Sequence, residues 1–328
     1  MSLSLGFWAP ISTGGWKERH GGDDPVDPTW EQLKQVTLTA EQLGFEYTLI
    51  AVRWFGPVLE ALTTTAALAA VTERIHMITA VHTDLIQPQV IAKMGANIDQ
   101  ISRGRFHINL VSGNDMPTHV RQHTMYGGTW HEHDDRYARS AEYIRAIKQM
   151  WSQQPATMRG EYYELDAVDL QPKPVQQPFP PTFVGGSSEA GRELTAVECD
   201  WFFLHGKDVE SAAELIADVR RRAEAHGRTV RFALSTFVMW GDRRADIERR
   251  VEELAELGKT DRLAAIHTEG LKSGTWGTPQ DVADQIARYQ ELGVEMALLQ
   301  FDPIEQELPR FGAEVMPLLD VAPATTTA

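Results

Sequence analysis

The amino-acid sequence predicts a (β/α)8 barrel. Short apolar runs typical of strands alternate with helix-like segments along the 328 residues, and this alternation indicates a parallel sheet flanked by helices. Eight strand-like runs can be counted, which is the number that closes a barrel. An open doubly wound sheet is the alternative. That fold usually carries G-x-G-x-x-G after its first strand, and APISTGGWKERHGG at 9–22 does not match the motif.

The predicted strands are apolar runs that stop at polar or glycine-containing turns. The first stops at Pro10 and at the glycine-rich loop around Gly14 and Gly15. In chain order the predicted strands span residues 3–10, 47–52, 75–82, 105–113, 182–186, 201–206, 230–240 and 296–301.

The predicted helices have apolar residues at intervals of three and four. Thr29 is predicted to cap the first helix and Gly44 to end it, and Pro88 stands at the first position of the third. The predicted helices span residues 29–44, 59–71, 88–102, 133–151, 188–198, 208–227, 245–258, 278–293 and 304–319.

Two segments interrupt the alternation. The proline-rich segment 152–181 contains the alternating run TMRGEYYELD, which predicts a small hairpin. The polar segment 259–276 predicts either a mobile lid or an ordinary surface loop. We expect one barrel domain over residues 1–320 and a flexible tail at 321–328.

The composition narrows the possible partners and location. With 46 acidic and 31 basic residues, the formal net charge is −15, which disfavours nucleic acid as the main partner. The single cysteine, Cys199, rules out an intramolecular disulfide and is expected to be a buried structural thiol in a reducing compartment. No signal peptide and no membrane span are predicted, so a cytoplasmic location is expected.

The working residues of such barrels lie at the carboxyl ends of the strands. Here those positions are aromatic, amide or hydroxyl in character, which favours a bulky organic cofactor. They are Trp8, Arg53, His82, Thr83, Asn109, Ser112, Gly113, Asn114, Gly185, Gly186, Ser187, Ser188, His205, Phe237, Trp240, Phe301 and Asp302. No metal site is predicted, because HEHDD at 131–135 and the pair His119 and His123 are interpreted as polar loop residues. The absence of a Gly-x-Ser-x-Gly motif disfavours a serine hydrolase.

The segment GGSS, from Gly185 to Ser188, begins a helix directly after the fifth predicted strand. Unpaired N–H groups, the positive end of the helix dipole and small side chains together favour an anion site. A tight turn with a serine cap is the alternative. Arg136 and Tyr137, early in the helix after the fourth strand, are placed to reach an anion near this loop, and the loop lies at the end of the barrel where phosphate commonly binds.

Four segments closely resemble the bacterial luciferase-like, flavin-dependent monooxygenases, and most of all the two-component alkanesulfonate and dimethyl sulfone monooxygenases. The similarity extends over roughly residues 3–320. The segments are ANIDQISRGRFHINLVSGN (96–114), HDDRYARSAEYIRAIKQMW (133–151), GEYYELDAVDLQPKPVQQPFPPTFVGGSS (160–188) and EVMPLLD (314–320).

This resemblance implies a barrel that binds reduced FMN (FMNH2), supplied by a separate NAD(P)H-dependent flavin reductase. O2 adds to the flavin, and the resulting peroxyflavin oxygenates a small organic substrate. A homodimer or homotetramer is expected. Family contacts to the flavin correspond to Val52, Arg53, Asn109, Arg136, Tyr137 and Ser188, and we add Ser112, Gly185, Gly186 and Ser187 as cofactor-binding residues.

The chain departs from the alkanesulfonate enzymes on the substrate side. Their seventh strand carries an Arg and a His, where this chain has Ser235 and Phe237. An anionic sulfonate buried there would lack a cationic partner, so a neutral, sulfone-like substrate is expected. Trp8, Trp54 and Phe237 are the predicted substrate contacts. The predicted catalytic residues are Arg53, His82 and His205, the histidines because their pKa lies near the working pH.

Two other functions remain open at this stage. An F420-dependent oxidoreductase could use the same barrel, but it would need a cationic path for the acidic tail of the cofactor. A non-catalytic flavin-binding barrel would keep the phosphate site and lack polar groups on the substrate side.

Overall fold

A computed structural model of the protein describes residues 2–11, 28–54, 56, 58–113, 115, 117–260 and 262–321. The predicted glycine-rich loop with Gly14 and Gly15, the strand-end residue Asn114 and the tail from residue 322 lie outside the described residues.

Twelve strands are present in the described residues, and eight of them form the barrel. The strands are β1 (Ser4–Trp8), β2 (Tyr47–Ile50), β3 (His76–His82), β4 (Phe106–Val111), β5 (Ala156–Arg159), β6 (Glu164–Val168), β7 (Thr182–Gly185), β8 (Trp201–His205), β9 (Arg231–Phe237), β10 (Met239–Trp240), β11 (Trp276–Gly277) and β12 (Val294–Gln300). The closed barrel has the order β1-β12-β9-β8-β7-β4-β3-β2. Every barrel strand coincides with a predicted strand, which confirms the predicted fold class.

Eleven α-helices connect these strands in the described residues. They are α1 (Trp30–Leu43), α2 (Ala61–Val71), α3 (Pro88–Ser102), α4 (Pro117–Met125), α5 (His133–Ser152), α6 (Glu189–Glu198), α7 (Val209–Ala225), α8 (Arg244–Leu257), α9 (Arg262–Leu271), α10 (Pro279–Glu291) and α11 (Ile304–Glu314). The predicted caps of α1 are confirmed. The side chain of Thr29 accepts a hydrogen bond from the backbone N–H of Gln32, and Gly44 ends the helix with φ +96°.

The structure also differs from the predicted pattern. Helix α4 was not predicted, because its buried residues include the polar Gln122 and His123 and therefore show no apolar period. Segment 259–276 contains helix α9, where a lid or loop was expected. Helix α11 ends at Glu314 and is followed by a 3-10 helix at Met316–Leu318, since Pro317 cannot donate a helical hydrogen bond. The predicted hairpin is confirmed by the antiparallel pair β5 and β6.

Two compact units can be distinguished by their internal contacts. The first comprises residues 1–49, 203–218 and 231–328. Within it β1 pairs in parallel with both β2 and β12, and β12 pairs with β9. The rings of Phe7, Phe45 and Phe311 pack with centroid distances of 6.0 Å for the first pair and 6.1 Å for the second. Aromatic packing of this kind stabilises the core beyond simple burial.

The second unit comprises residues 50–202 and 219–230. Its strands β3, β4 and β7 pair in parallel, and Asn109 of β4 lies opposite Ala80 on one side and Phe183 on the other. Cys199 is fully buried in this unit, and burial raises the pKa of its thiol to about 12, as expected for a structural thiol.

Two further expectations bear on the whole chain. The prediction of one domain over residues 1–320 stays a prediction. In the part of the chain that the structure describes, none of the helices combines the length and apolarity needed to span a bilayer.

Candidate functional site

The loop from Gly185 to Ser188 joins β7 to α6 in the second unit. Ser188 caps α6, since its Oγ accepts a hydrogen bond from the N–H of Gly191 at 3.2 Å. The serine cap considered from the sequence is therefore present. It occupies one N–H of the first turn, while the N–H groups of Glu189 and Ala190 have no partner within the helix. A capped helix start can still bind an anion through those groups.

Gly186 lies directly beside Tyr137, which is on the first turns of α5. A Cβ atom added at Gly186 would lie 2.8 Å from the hydroxyl oxygen of Tyr137, and the φ angle of Gly186 is +153°. A Cβ atom added at Gly191 would lie 2.7 Å from the carbonyl oxygen of Gly186. The two glycines therefore allow the loop, the helix start and the phenol of Tyr137 to come together.

Arg136, the neighbour of Tyr137 on α5, is buried but directs its guanidinium towards an exposed carboxylate. Its Nη1 donates to Oδ1 of Asp115 at 2.8 Å and to the carbonyl of His131 at 2.7 Å, and its Nη2 donates to Oδ2 of Asp115 at 3.3 Å. The guanidinium stacks on the ring of Trp130 at 4.4 Å. Its Nε is buried without a hydrogen-bond partner among the described residues, so one donor of the fork is open.

Asp115 is the partner that sequence reasoning missed. Its side chain is 68% exposed, and the hydrogen bond from Arg136 is the main cause that lowers the pKa of its carboxyl group. Asp115 therefore stays ionised at neutral pH. It lies 21 residues before Arg136, and no local pattern in the sequence links the two.

Polar side chains at the end of β4 continue the site within the same unit. The hydroxyl of Ser140 on α5 lies 2.8 Å from that of Ser112 and 2.8 Å from that of Thr83. The side-chain oxygen of Asn109 is buried and makes no hydrogen bond with any described residue. Asn109 therefore offers an amide group to a ligand.

His82, at the end of β3, is enclosed. Burial is the main cause that lowers its pKa, to about 3, so its imidazole is neutral at physiological pH. Its Nε2 lies 2.8 Å from Nε2 of Gln122 on α4, and Oε1 of Gln122 accepts the backbone N–H of Trp54 at 2.9 Å. Gln122 was not identified from the sequence, because a polar residue in a short helix carries no local signal.

The segment after β2 is more open. Arg53 is exposed, and Val52 and Trp54 are partly buried. The ring of Trp54 packs against that of Tyr126 with a centroid distance of 5.4 Å.

In the first unit, Trp8, Ser235 and His205 form a second polar group at the ends of β1, β9 and β8. The indole Nε1 of Trp8 donates to Oγ of Ser235 at 3.1 Å, and Nδ1 of His205 lies 3.3 Å from the same oxygen. Burial is the main cause that lowers the pKa of His205. The group is neutral, and Ser235 is its centre.

Phe237 has different surroundings from Ser235. Its ring is buried and stacks on that of His267 at 4.3 Å. It belongs to an apolar cluster with Met239, Ile247, Leu254 and Leu271. Core packing therefore accounts for these contacts of Phe237, and the substrate contact predicted for it stays a prediction.

Comparison with known proteins gives three main findings. A family model described as luciferase-like monooxygenase matches residues 4–296. The chain is 29% identical to an FMNH2-dependent dimethylsulfone monooxygenase of Pseudomonas putida. The alignment, with its gaps, is 355 positions long and covers 97% of this chain and 95% of that protein. Among solved structures, riboflavin lyase with modified FMN and riboflavin has a TM-score of 0.82 at 19% identity, covering 100% of this chain and 94% of the other. An F420-dependent secondary alcohol dehydrogenase has a TM-score of 0.73 at 17% identity, covering 97% and 99%.

Proposed function

Since the chain belongs to the luciferase-like monooxygenase family, we propose that it is the oxygenase of a two-component system. It binds reduced FMN, which a separate NAD(P)H-dependent flavin reductase supplies, and it uses O2 to oxygenate a small organic substrate. The P. putida relative, whose name states an FMNH2-dependent reaction on dimethyl sulfone, supports this choice of cofactor.

The residues of the second unit fit the FMN phosphate and its chain. Nε of the buried Arg136 is a donor that lacks an acceptor, and a phosphate oxygen can supply one in a charge-assisted hydrogen bond. Tyr137 adds a phenol beside Gly186, and the start of α6 adds backbone N–H groups. The unpartnered side-chain oxygen of Asn109 can accept a hydrogen bond from the polar edge of a flavin ring. The open donor on Arg136 is the observation that carries the proposal.

Bound reduced FMN supplies the chemistry that activates O2. The chain binds and orients the cofactor through Arg136, Tyr137 and Asn109, and Val52, Ser112 and the loop from Gly185 to Ser188 complete the predicted contacts.

Trp8 in the first unit and Trp54 in the second stay predicted substrate contacts. Of the predicted catalytic residues Arg53, His82 and His205, His205 is the best suited to hold or move a proton. It is half-buried, its imidazole is neutral, and only its Nδ1 lies next to Ser235.

The substrate is proposed to be neutral and sulfone-like. The polar group around Ser235 consists of an indole, a hydroxyl and a neutral imidazole. An anionic sulfonate buried there would lack a cationic partner, whereas a sulfone oxygen can accept a hydrogen bond from Ser235.

Anaerobic titration with FMN, reduced FMN and F420, followed by exposure to O2, tests the proposed function. Preferred binding of reduced FMN and substrate-dependent oxygen uptake are expected. Tight F420 binding would instead support the hydride-transfer alternative, which the fold of the alcohol dehydrogenase permits. Flavin binding without turnover of any sulfone would indicate a non-catalytic barrel.

Replacing Gly186 with alanine is expected to weaken binding of reduced FMN about tenfold. The added Cβ would displace the Tyr137 hydroxyl, and a hydrogen bond to a charged group contributes roughly 1.5 kcal/mol or more. Isothermal titration under anaerobic conditions measures the effect. The control is Gly227→Ala, which has φ +66° and no atom within 4 Å of the added Cβ. If both variants bind equally well, Tyr137 and Gly186 do not form the phosphate site.

Replacing Asp115 with asparagine is expected to tighten binding of reduced FMN by about threefold, a small effect because exposed ion pairs are weak. The carboxylate uses the two terminal nitrogens of Arg136 and repels a phosphate. Asp166→Asn in the hairpin removes the same charge at an exposed position and controls for net charge. Weaker binding in Asp115→Asn alone would mean that Asp115 orients Arg136 instead of competing for it.

The assembly and location are proposed from the family. We expect a homodimer or homotetramer in the cytoplasm, and light scattering of the purified protein measures the assembly. The flavin reductase is expected to be a transient partner only, because reduced flavin can pass between the two proteins through solution.

A further inference from the structure

Three side chains that commonly bind metals converge at the end of β3 in the second unit. His82 ends β3, Asp84 follows two residues later, and His123 is on α4. One nitrogen of each imidazole and one carboxylate oxygen of Asp84 lie within 4.8 Å of one another. Within the described ranges of the chain, this is the one such group of His, Cys, Asp or Glu.

The two imidazoles are buried, and that of His123 is incompletely satisfied. His82 is 3% exposed and His123 is 1% exposed. Nε2 of His123 has no hydrogen-bond partner among the described residues, while Nδ1 of His123 contacts Oδ2 of Asp84. His82 interacts with the side chain of Gln122 and with the backbone of Val111. Buried polar atoms nearly always have a partner, so an unpartnered ring nitrogen beside a second imidazole and a carboxylate points to a further group that binds between them.

We propose that His82, Asp84 and His123 bind one divalent transition-metal ion, with Zn2+ as the best match. Two imidazoles and one carboxylate are a common ligand set for Zn2+, and a water molecule completes the coordination. Mg2+ and Ca2+ prefer oxygen ligands throughout, and soft ions prefer thiolates. The ring of His119, with its centroid 6.4 Å from that of His82, lies next to the group.

The ion has a structural consequence for the flavin site. It joins the end of β3 to α4, the helix that local sequence patterns do not predict. The ring of His123 packs against that of Trp130 with a centroid distance of 4.9 Å, and the guanidinium of Arg136 stacks on the same Trp130 ring. A metal bound to His123 therefore helps to position Trp130 and, through it, Arg136. His82 then acts as a ligand in place of the acid–base role predicted from the sequence.

Metal binding can be measured on the full-length protein without flavin. Chelator-treated protein is titrated with Zn2+ and with Co2+, and bound metal is counted by mass spectrometry and by the visible absorption of bound Co2+. We expect one ion per chain. Changing a residue that merely orients a ligand costs about 10- to 100-fold in metal affinity, so His123→Ala and Asp84→Asn are expected to weaken binding at least about 100-fold.

A matched control and a measurement on the unmodified protein keep the test decisive. His226 pairs with Glu193 on the surface of the same unit, and His226→Ala is expected to bind the metal as the parent does. Electron paramagnetic resonance of bound Cu2+ on the parent should show coupling to two imidazole nitrogens, which does not depend on the folding of any variant. A parent protein that binds neither Zn2+ nor Co2+, or a His123→Ala protein that binds as tightly, overturns the proposal. Flavin binding is measured separately, so a failure here leaves the proposed function untouched.

Discussion

Replacing Arg136 with alanine is expected to weaken the binding of reduced FMN about 100-fold, because truncating a buried, hydrogen-bonded charge costs roughly 3 kcal/mol. The guanidinium is 6% exposed and has an open Nε, and it stacks on Trp130. A phosphate dianion left without it loses its main charged partner. Anaerobic titration calorimetry or fluorescence quenching by reduced FMN gives the dissociation constant. Adding Ser188→Ala, which also removes the cap of α6, should weaken binding further.

Two controls separate this charge effect from a general loss of structure. Arg145 is on the same helix and pairs with Glu198 at 2.6 Å, so Arg145→Ala removes one positive charge and one ion pair from that helix and is expected to leave flavin affinity unchanged. Arg136→Lys keeps the charge and loses the planar fork, and we expect a loss of about tenfold. If the Arg136→Ala, Ser188→Ala double variant bound reduced FMN like the parent, the phosphate site would have to lie elsewhere.

The value of kcat/KM for dimethyl sulfone is expected to exceed that for methanesulfonate at least about 100-fold, since an unpaired buried charge costs roughly 3 kcal/mol or more. Ser235 is 3% exposed and bonds to Trp8 and His205. These groups offer hydrogen bonds and carry no net positive charge. Rates of product formation with excess reduced FMN and O2 provide the comparison.

Oxidation of reduced flavin without substrate has to be measured in parallel, so that a slow reaction is not mistaken for poor flavin binding. Larger sulfones extend the series and report the size of the site. Equal kcat/KM values for methanesulfonate and the best sulfone would show that a cation reaches the substrate after all. The assignment of Ser235 as a substrate contact would then be wrong.

The barrel could be predicted from sequence because its signals are local. Strands buried in a parallel sheet need continuous apolar runs, and turns need glycine or polar residues. The caps of α1 at Thr29 and Gly44 could be predicted for the same reason, because each depends only on the residues at one end of the helix. The family match over residues 4–296 confirms the resemblance that four segments of the sequence had indicated.

Gly186 and Tyr137 lie close together, at the loop near which Arg136 and Tyr137 were predicted to reach an anion. The anion site itself stays a prediction. Phe237 shows what such reasoning leaves out. Its position at the end of β9 predicts a substrate contact, and no local pattern indicated that its ring stacks on His267 in an apolar cluster.

By itself, the sequence determined the barrel, the family and the position of the loop that we propose for the FMN phosphate. Tertiary structure alone decided which polar groups meet: Asp115 with Arg136, Gln122 with His82, and His82 with Asp84 and His123. Apolar periodicity records whether a residue is buried, and it therefore predicts strands and helices. A hydrogen bond or a metal site depends on directions and distances between residues far apart in the chain, which no local pattern encodes.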